Sequence, residues 1–133
     1  MIFPLDPSPH ITPSNPVSLP NVFNISEINK LNSHINSLPY ETAKVLQGNE
    51  ESEQYSQRRS KIKWINPSPN LGWLYEKIHQ IVYEANKSWE FDIAGVNESI
   101  QYTEYNSQDL GHFGWHLDLG RGRPRSRRIS ITI

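Results

Sequence analysis

Apolar residues recur at helical spacing in two stretches of the chain. The first stretch follows Ser26 and stops at Pro39, so it predicts a helix with Ser26 as its N-cap. The second follows Ser68-Pro69, a favourable start for a helix, and its series continues for about five turns, as in an amphipathic helix that packs on a sheet. The apolar positions are Ile28, Leu31, Ile35 and Leu38 in the first stretch, and Leu71, Leu74, Ile78, Ile81, Val82, Ala85 and Trp89 in the second.

Other parts of the chain alternate between apolar and polar residues, which predicts half-buried strands. These are residues 60–65, 90–94, 99–105, 112–119 and 127–133. Gly95 and Asn97 are expected to turn between the second and third strands, and the polar stretch 47–57 is expected to form a surface loop. Helices followed by antiparallel strands are typical of an α+β domain.

Composition limits the domain organisation. The chain has 133 residues and is 35% hydrophobic, yet it contains four Trp, six Tyr and four Phe, too many aromatic residues for a disordered protein. That length allows one domain. Most of the prolines lie in the first twenty residues, so residues 1–22 are predicted to form an extended arm and 23–133 the domain.

Charge and cysteine content exclude several classes of function. The formal net charge is -1, so nothing attracts the whole chain to nucleic acid or to an anionic membrane. The absence of cysteine excludes disulfides, thiolate metal sites and a cysteine nucleophile. No stretch is apolar enough to span a bilayer, and the first residues lack the pattern of a secretory signal. We therefore expect a cytoplasmic protein without a membrane partner.

Candidate chemistry is concentrated in the stretch 112–119. In a regular strand His116 and Asp118 point to the same face, with their Cα atoms about 6–7 Å apart. Phe113, Trp115, Leu117 and Leu119 would back them from the other face, so Trp115 is expected to pack rather than bind. An imidazole and a carboxylate are two of the three ligands in the facial triad of non-haem Fe(II) oxygenases. A His-x-Asp pair alone is weak support for a metal site; His79, beside the apolar stripe, is interpreted as structural.

The surrounding motifs strengthen the metal interpretation. Glu98-Ser-Ile-Gln101-Tyr102-Thr-Glu-Tyr105 precedes Gly111-His-Phe113-Gly-Trp115-His116-Leu-Asp118, and Arg127-Arg128-Ile-Ser130-Ile-Thr132-Ile follows. Arg59-Ser60 before an apolar strand, Trp73-Leu74-Tyr75, Asn86 and Trp89-Glu-Phe91 fit the same pattern. From about residue 20 onward the chain resembles the Fe(II)/2-oxoglutarate dioxygenases, in particular the prolyl 4-hydroxylase-like, PKHD-type hydroxylases.

The resemblance implies a fold, cofactors and a reaction. Helices would pack on a double-stranded β-helix (a jelly-roll or cupin-like core), of which only the first strands are present. His116 and Asp118 would be metal ligands for Fe(II), and Tyr105 would face the co-substrate 2-oxoglutarate, although an ordinary core tyrosine is an equal interpretation. Ascorbate could serve as an additional reductant. The substrate would be a peptide or protein, with a prolyl residue as the target, or a small molecule.

Part of the family's pattern has no counterpart in this sequence. The third ligand, a distal His, and the Arg or Lys that pairs with 2-oxoglutarate lie far downstream in that family, whereas the chain ends fifteen residues after Asp118. His112 would lie roughly 13 Å from His116 in a regular strand, too far to replace the distal His unless Gly114 breaks the strand. We therefore expect a truncated chain or partial sequence that a downstream segment completes.

Two other functions stay open at this point. One is a non-catalytic remnant or binding module that lacks the distal ligand and holds metal weakly or not at all. The other is binding of nucleic acid by the run Arg121-Gly-Arg123-Pro-Arg125-Ser-Arg127-Arg128, which the acidic residues elsewhere make unlikely as the main role. A solvated loop between two strands is the favoured interpretation of this run.

Overall fold

The chain is an α+β protein with helices on one face of a small antiparallel sheet. The computed structural model describes residues 16–47, 50–52, 55–96, 98–116 and 129–133. The helices in these ranges are α1 (Ile25–Ser37) and α2 (Gly72–Asn86). The strands are β1 (Glu41–Thr42), β2 (Val45–Gln47), β3 (Glu50–Ser52), β4 (Arg58–Arg59), β5 (Lys61–Ile65), β6 (Ile100–Glu104) and β7 (His112–Phe113). The α+β class is confirmed, and no sheet among the described residues is closed into a barrel.

Helix α1 begins two residues earlier than the sequence pattern predicts. Asn24, not Ser26, is the N-cap: its side chain accepts a hydrogen bond from Glu27 N (3.0 Å), and Glu27 Oε2 accepts one from Asn24 N (2.9 Å). This reciprocal capping box satisfies two backbone donors that a helix start otherwise leaves unpaired. Glu27 also pairs with Lys77 of α2, and this hydrogen bond is the main reason that the pKa of Glu27 is lowered.

Asn24→Ala is expected to destabilise the fold by about 1 kcal/mol, because it removes the side-chain half of the capping box. Ser26→Ala is the matched control, since it changes a neighbouring polar residue that does not cap the helix. Urea unfolding of both variants would measure the difference. A larger loss for Ser26→Ala than for Asn24→Ala would contradict the assignment of the cap.

Helix α2 follows a short 3-10 turn (Pro69–Leu71) and ends at Asn86, before the predicted Trp89. The Asn86 side chain then bonds both backbone groups of Phe91: Nδ2 donates to the Phe91 carbonyl (2.9 Å), and Oδ1 accepts from Phe91 N (3.1 Å). The backbone N–H and C=O of Phe91 are thus bonded to a side chain and are not available to a neighbouring strand. The predicted strand at 90–94 is therefore wrong; this segment is irregular and includes Glu90 at φ 54°.

The main sheet has the order β1-β5-β6, with antiparallel neighbours. Strand β5 lies in the centre and pairs with β6 from Lys61↔Glu104 to Ile65↔Ile100, so the predicted strands at 60–65 and 99–105 are confirmed. Strands β2 and β3 form a separate antiparallel pair. The prediction of a loop over 47–57 is thus wrong at residue 47 and at residues 50–52, which lie in these paired strands.

The core lies between the two helices and the sheet. Its buried members are Ile35, Ile65, Leu71, Leu74 and Ile78. The Tyr75 hydroxyl of α2 donates to the Ile65 carbonyl (2.6 Å) and accepts from Ile100 N (3.4 Å). One helix side chain therefore bonds both β5 and β6 and fixes α2 on the sheet.

The described part of the proline-rich arm lies against α2. Lys77 donates to the Val22 carbonyl at 3.0 Å, and Val17, Leu19 and residues 129–133 line one groove with residues of the second half of α2. Residues 129–133 form no strand, contrary to the prediction for 127–133; Ile129 is half-buried, and Ile133 is 63% exposed. No helix in the described ranges is long and apolar enough to cross a membrane.

Candidate functional site

Two strands from distant parts of the chain pair with the same continuous segment. Strand β6 pairs with β5, and β7 pairs with β4 in the register Arg58↔Phe113 and Arg59↔His112. Because only Ser60 separates β4 from β5, the connection between β6 and β7 must fold out of the sheet and return. Tyr105 lies at the start of that connection, and its backbone lies close to Gly111, the residue that precedes β7.

The connection is closed by its own backbone and by one asparagine. Asn106 Oδ1 accepts from Gln108 N (2.8 Å), and the Asn106 carbonyl accepts from Gly111 N (2.8 Å). A Cβ on Gly111 would lie 2.7 Å from Asn106 N, so only glycine allows this close return. The turn residues therefore position β7 beside β4.

Strand β7 is much shorter than the predicted strand 112–119. Gly114 N still donates to the Gln57 carbonyl at 2.8 Å, and the chain then bends at Trp115. The alternation of faces ends there, so Trp115 is fully exposed (103%). The expectation that Trp115 packs against the domain is wrong, because the chain bends at this residue and the strand does not continue through it.

His116 folds back onto the strand that precedes it. Its ring stacks on Phe113 with the centroids 3.6 Å apart and the planes at 16°, whereas a regular strand would place these side chains on opposite faces. His116 Nδ1 lies 2.8 Å from the Gly114 carbonyl. Donation from Nδ1 selects the tautomer whose lone pair is on Nε2, the usual arrangement of a metal-binding histidine.

Arg58 is the buried residue of this region that the sequence analysis missed. It is only 8% exposed, its Nε donates to Ser60 Oγ (3.0 Å), and its guanidinium lies 4.5 Å from the centre of the Phe113 ring. Burial lowers the pKa of Arg58, and the charge and hydrogen bond of Tyr105 partly offset this effect. Ser60 and Ile62 are buried at every second position. The same spacing continued two residues toward the N-terminus would have indicated that Arg58 also faces inward.

These contacts join four residues into one group. Tyr105 lies near enough to Arg58 to raise its pKa, the Arg58 guanidinium lies over the Phe113 ring, and Phe113 stacks on His116; we call these four residues the Arg58 cluster. Tyr105 is half-exposed and His116 is exposed, so the cluster reaches the surface at both ends. The cluster therefore links Tyr105, which the resemblance implies as a contact of 2-oxoglutarate, to His116, which it implies as a ligand of iron.

His112 belongs to the opposite side of β7. Its Nδ1 lies 2.9 Å from the Leu110 carbonyl and its Nε2 lies 3.3 Å from the Ser56 carbonyl. The strand does break at Gly114, the condition under which His112 could have approached His116. The contacts of both ring nitrogens with backbone carbonyls nevertheless favour a structural role for His112.

Some predicted features lie outside the described residues. These are Asp118 and the arginine run from Arg121 to Arg128. Among the residues whose positions are described, no three His, Cys, Asp or Glu side chains are grouped closely enough to hold a metal ion. His79, interpreted as structural, is exposed on α2.

Comparisons with known proteins add no relative. No protein-family model, no curated protein and no solved structure matches the chain. The resemblance to Fe(II)/2-oxoglutarate dioxygenases therefore depends on the motifs in this sequence, and the structure contributes the geometry that surrounds them.

Proposed function

We propose that this chain is the N-terminal part of an Fe(II)- and 2-oxoglutarate-dependent dioxygenase that acts in the cytoplasm. Its double-stranded β-helix would be completed by a downstream segment that supplies the distal His and an Arg or Lys. The reaction would hydroxylate a prolyl residue of a peptide or protein, as the resemblance implies. With the metal bound, O₂ and 2-oxoglutarate are converted to succinate and CO₂ while one oxygen atom enters the substrate C–H bond.

The observation that carries the proposal is the continuity of the Arg58 cluster. Tyr105 and His116 are eleven residues apart in the sequence; Tyr105 follows β6, and His116 lies beyond the end of β7. The return of the chain to β4 brings Tyr105 near Arg58 and places His116 against Phe113, and the Arg58 guanidinium in turn lies over the Phe113 ring. A metal ligand and a co-substrate contact must lie near each other in this kind of enzyme, and the link between Tyr105 and His116 through Arg58 and Phe113 supports the proposal.

The available donors fit Fe(II) in their chemistry. Imidazole and carboxylate ligands suit non-haem iron when further positions stay open for substrates. His116 would bind through Nε2, because its Nδ1 contacts the Gly114 carbonyl, and Asp118 would supply the carboxylate. Phe113 restricts rotation of the His116 ring by stacking on it, which helps to fix the direction of the ligand.

Succinate formation from 2-oxoglutarate by the full-length gene product tests the proposal. We expect formation to require added Fe(II) and to rise when a prolyl-containing peptide is supplied. Asp118→Ala should abolish it, and Glu90→Ala, in an exposed irregular segment, should not. Failure to turn over any of a panel of peptides and small carboxylic or amino acids would instead favour the non-catalytic remnant or binding module.

A further inference from the structure

The end of the main sheet at Lys61 forms an open polar cleft. Thr42 of β1 and Glu104 of β6 are the register partners of Lys61, so these three residues form one row across the sheet, and all three line the cleft. Its volume is about 480 Å³, which is within the range of small-molecule sites. The sheet therefore provides a rigid base for a ligand of small-molecule size.

The connection between β6 and β7 forms part of the wall of this cleft, through Asn106, Gln108, Asp109 and Leu110. Arg59 Nη1 donates to the Asp109 carbonyl at 3.1 Å, a bond that ties the connection to β4. Leu110 is 73% exposed and Tyr55, another lining residue, is 49% exposed. These two side chains give the polar cleft an apolar part.

The lining contains charges of both signs that do not pair with each other. Arg59 and Lys61 supply two cations, and Glu104 and Asp109 supply two carboxylates. Lys61 is directly opposite Glu104 in the sheet, yet both ion pairs found within the described ranges lie elsewhere, between α1 and α2 and at the end of α2. Glu104 accepts a hydrogen bond from the Tyr40 hydroxyl at 2.8 Å, which leaves further acceptor positions on the carboxylate.

Arg59 has donors that its described contacts do not use. A guanidinium carries five N–H groups, and the bond to the Asp109 carbonyl uses one on Nη1. The Nε atom is buried and has no hydrogen-bond partner among the described residues, an unfavourable state for a buried donor. A carboxylate that accepts from Nε and a neighbouring Nη group at once would satisfy it.

We propose that this cleft binds a small zwitterion of the amino-acid type. The carboxylate of the ligand would bind Arg59 and Lys61. Its ammonium group would bind Glu104 and Asp109, and an apolar side chain would contact Leu110. A purely anionic ligand such as phosphate is disfavoured, because it would meet two carboxylates in the same lining. Two sources share the zwitterion chemistry: a free amino acid and a short peptide with both ends charged.

The cleft is separate from the Arg58 cluster. Arg58 and Arg59 are consecutive residues of β4, so their side chains point to opposite faces. The Arg58 guanidinium lies 4.5 Å from the centre of the Phe113 ring, whereas that of Arg59 lies 5.6 Å from the centre of the Tyr55 ring. The zwitterion site therefore needs no metal and does not depend on the proposed dioxygenase activity.

The test is an NMR titration of the full chain, in the presence of EDTA, with L-phenylalanine as the probe. We expect saturable shifts of the backbone amide signals of Lys61, Asn106 and Leu110. Phenethylamine lacks the carboxylate of the probe and hydrocinnamate lacks its ammonium group. Each of these two compounds should bind at least about 10-fold more weakly, because one pair of charged groups in the cleft then has no partner.

Variants of the lining separate the two halves of the site. Arg59→Gln should weaken binding of L-phenylalanine by about 10- to 100-fold, as for lost hydrogen bonds to a charged group. Lys61→Gln and Glu104→Gln should each weaken it by about threefold to tenfold. Lys44→Gln is the matched control for Lys61→Gln, since Lys44 is an exposed lysine that follows β1, and it should leave binding unchanged.

Several results would overturn the site. They are no saturable shifts in the wild type, binding of phenethylamine, hydrocinnamate or inorganic phosphate as tight as that of L-phenylalanine, and unchanged affinity in a folded Arg59→Gln variant. If Arg59→Gln fails to fold by circular dichroism, Lys61→Gln and Glu104→Gln decide, and unchanged affinity in both would also overturn it. A parallel titration with glycyl-phenylalanine identifies the source: tighter binding than L-phenylalanine that depends on Lys61 supports the site and assigns it to a short peptide, and weaker binding assigns it to a free amino acid.

Discussion

Replacing Leu74 with alanine is expected to lower the free energy of unfolding by about 3–5 kcal/mol. Leu74 is 1% exposed and belongs to the buried cluster between the two helices and the sheet. Removing a buried leucine side chain loses its transfer free energy and leaves a cavity that the surroundings fill only in part. Because small domains have a total stability of roughly 5–15 kcal/mol, this variant should be partly unfolded at moderate temperature.

The control for Leu74→Ala lies on the opposite face of the same helix. Tyr83 is 65% exposed, so Tyr83→Ala should change stability by less than about 1 kcal/mol. Urea unfolding followed by tryptophan fluorescence measures both variants. A loss of 1 kcal/mol or less for Leu74→Ala would mean that α2 does not form the core with the sheet.

Replacing His116 with alanine is expected to lower Fe(II)-dependent succinate formation by more than about 100-fold. Loss of groups that merely support a metal ligand already costs 10- to 100-fold, and His116 is proposed as a ligand itself. Because the side chain is exposed and follows the end of β7, the substitution should leave the fold intact.

His79→Ala is the matched control for His116→Ala. His79 is also an exposed histidine, but it lies on α2 and outside the Arg58 cluster. It should therefore keep wild-type succinate formation, provided that circular dichroism shows the same fold for both variants. Equal succinate formation by the two variants would contradict the proposal that His116 is a metal ligand.

The elements that could be predicted are those whose side chains alternate in burial. The apolar stripe of α2 and the strands β5 and β6 follow directly from helical and strand spacing. The strand at 90–94 could not be rejected from its pattern alone, because its apolar residues do alternate. What prevents it is the pair of hydrogen bonds between Asn86 and Phe91, a contact that periodicity does not report.

The sequence pattern predicted only part of the candidate site, because the rest depends on contacts that periodicity does not report. His116 and Tyr105 were identified from their motifs, but their connection depends on the fold of residues 106–111 and on Arg58. The short return at Gly111 and the bend after Gly114 determine which side chains meet. Strand parity alone placed Phe113 and His116 on opposite faces, whereas the bend stacks them.

Anaerobic titration with Fe(II) by calorimetry is the most direct test of His116 and Asp118 as metal ligands. The wild-type chain should bind Fe(II) weakly, because the distal ligand of the resemblance has no counterpart in it, and His116→Ala and Asp118→Ala should each weaken binding further. His79→Ala should match the wild type. Equal binding by the wild type and by the His116 and Asp118 variants would contradict the iron site and leave a non-catalytic module as the better description.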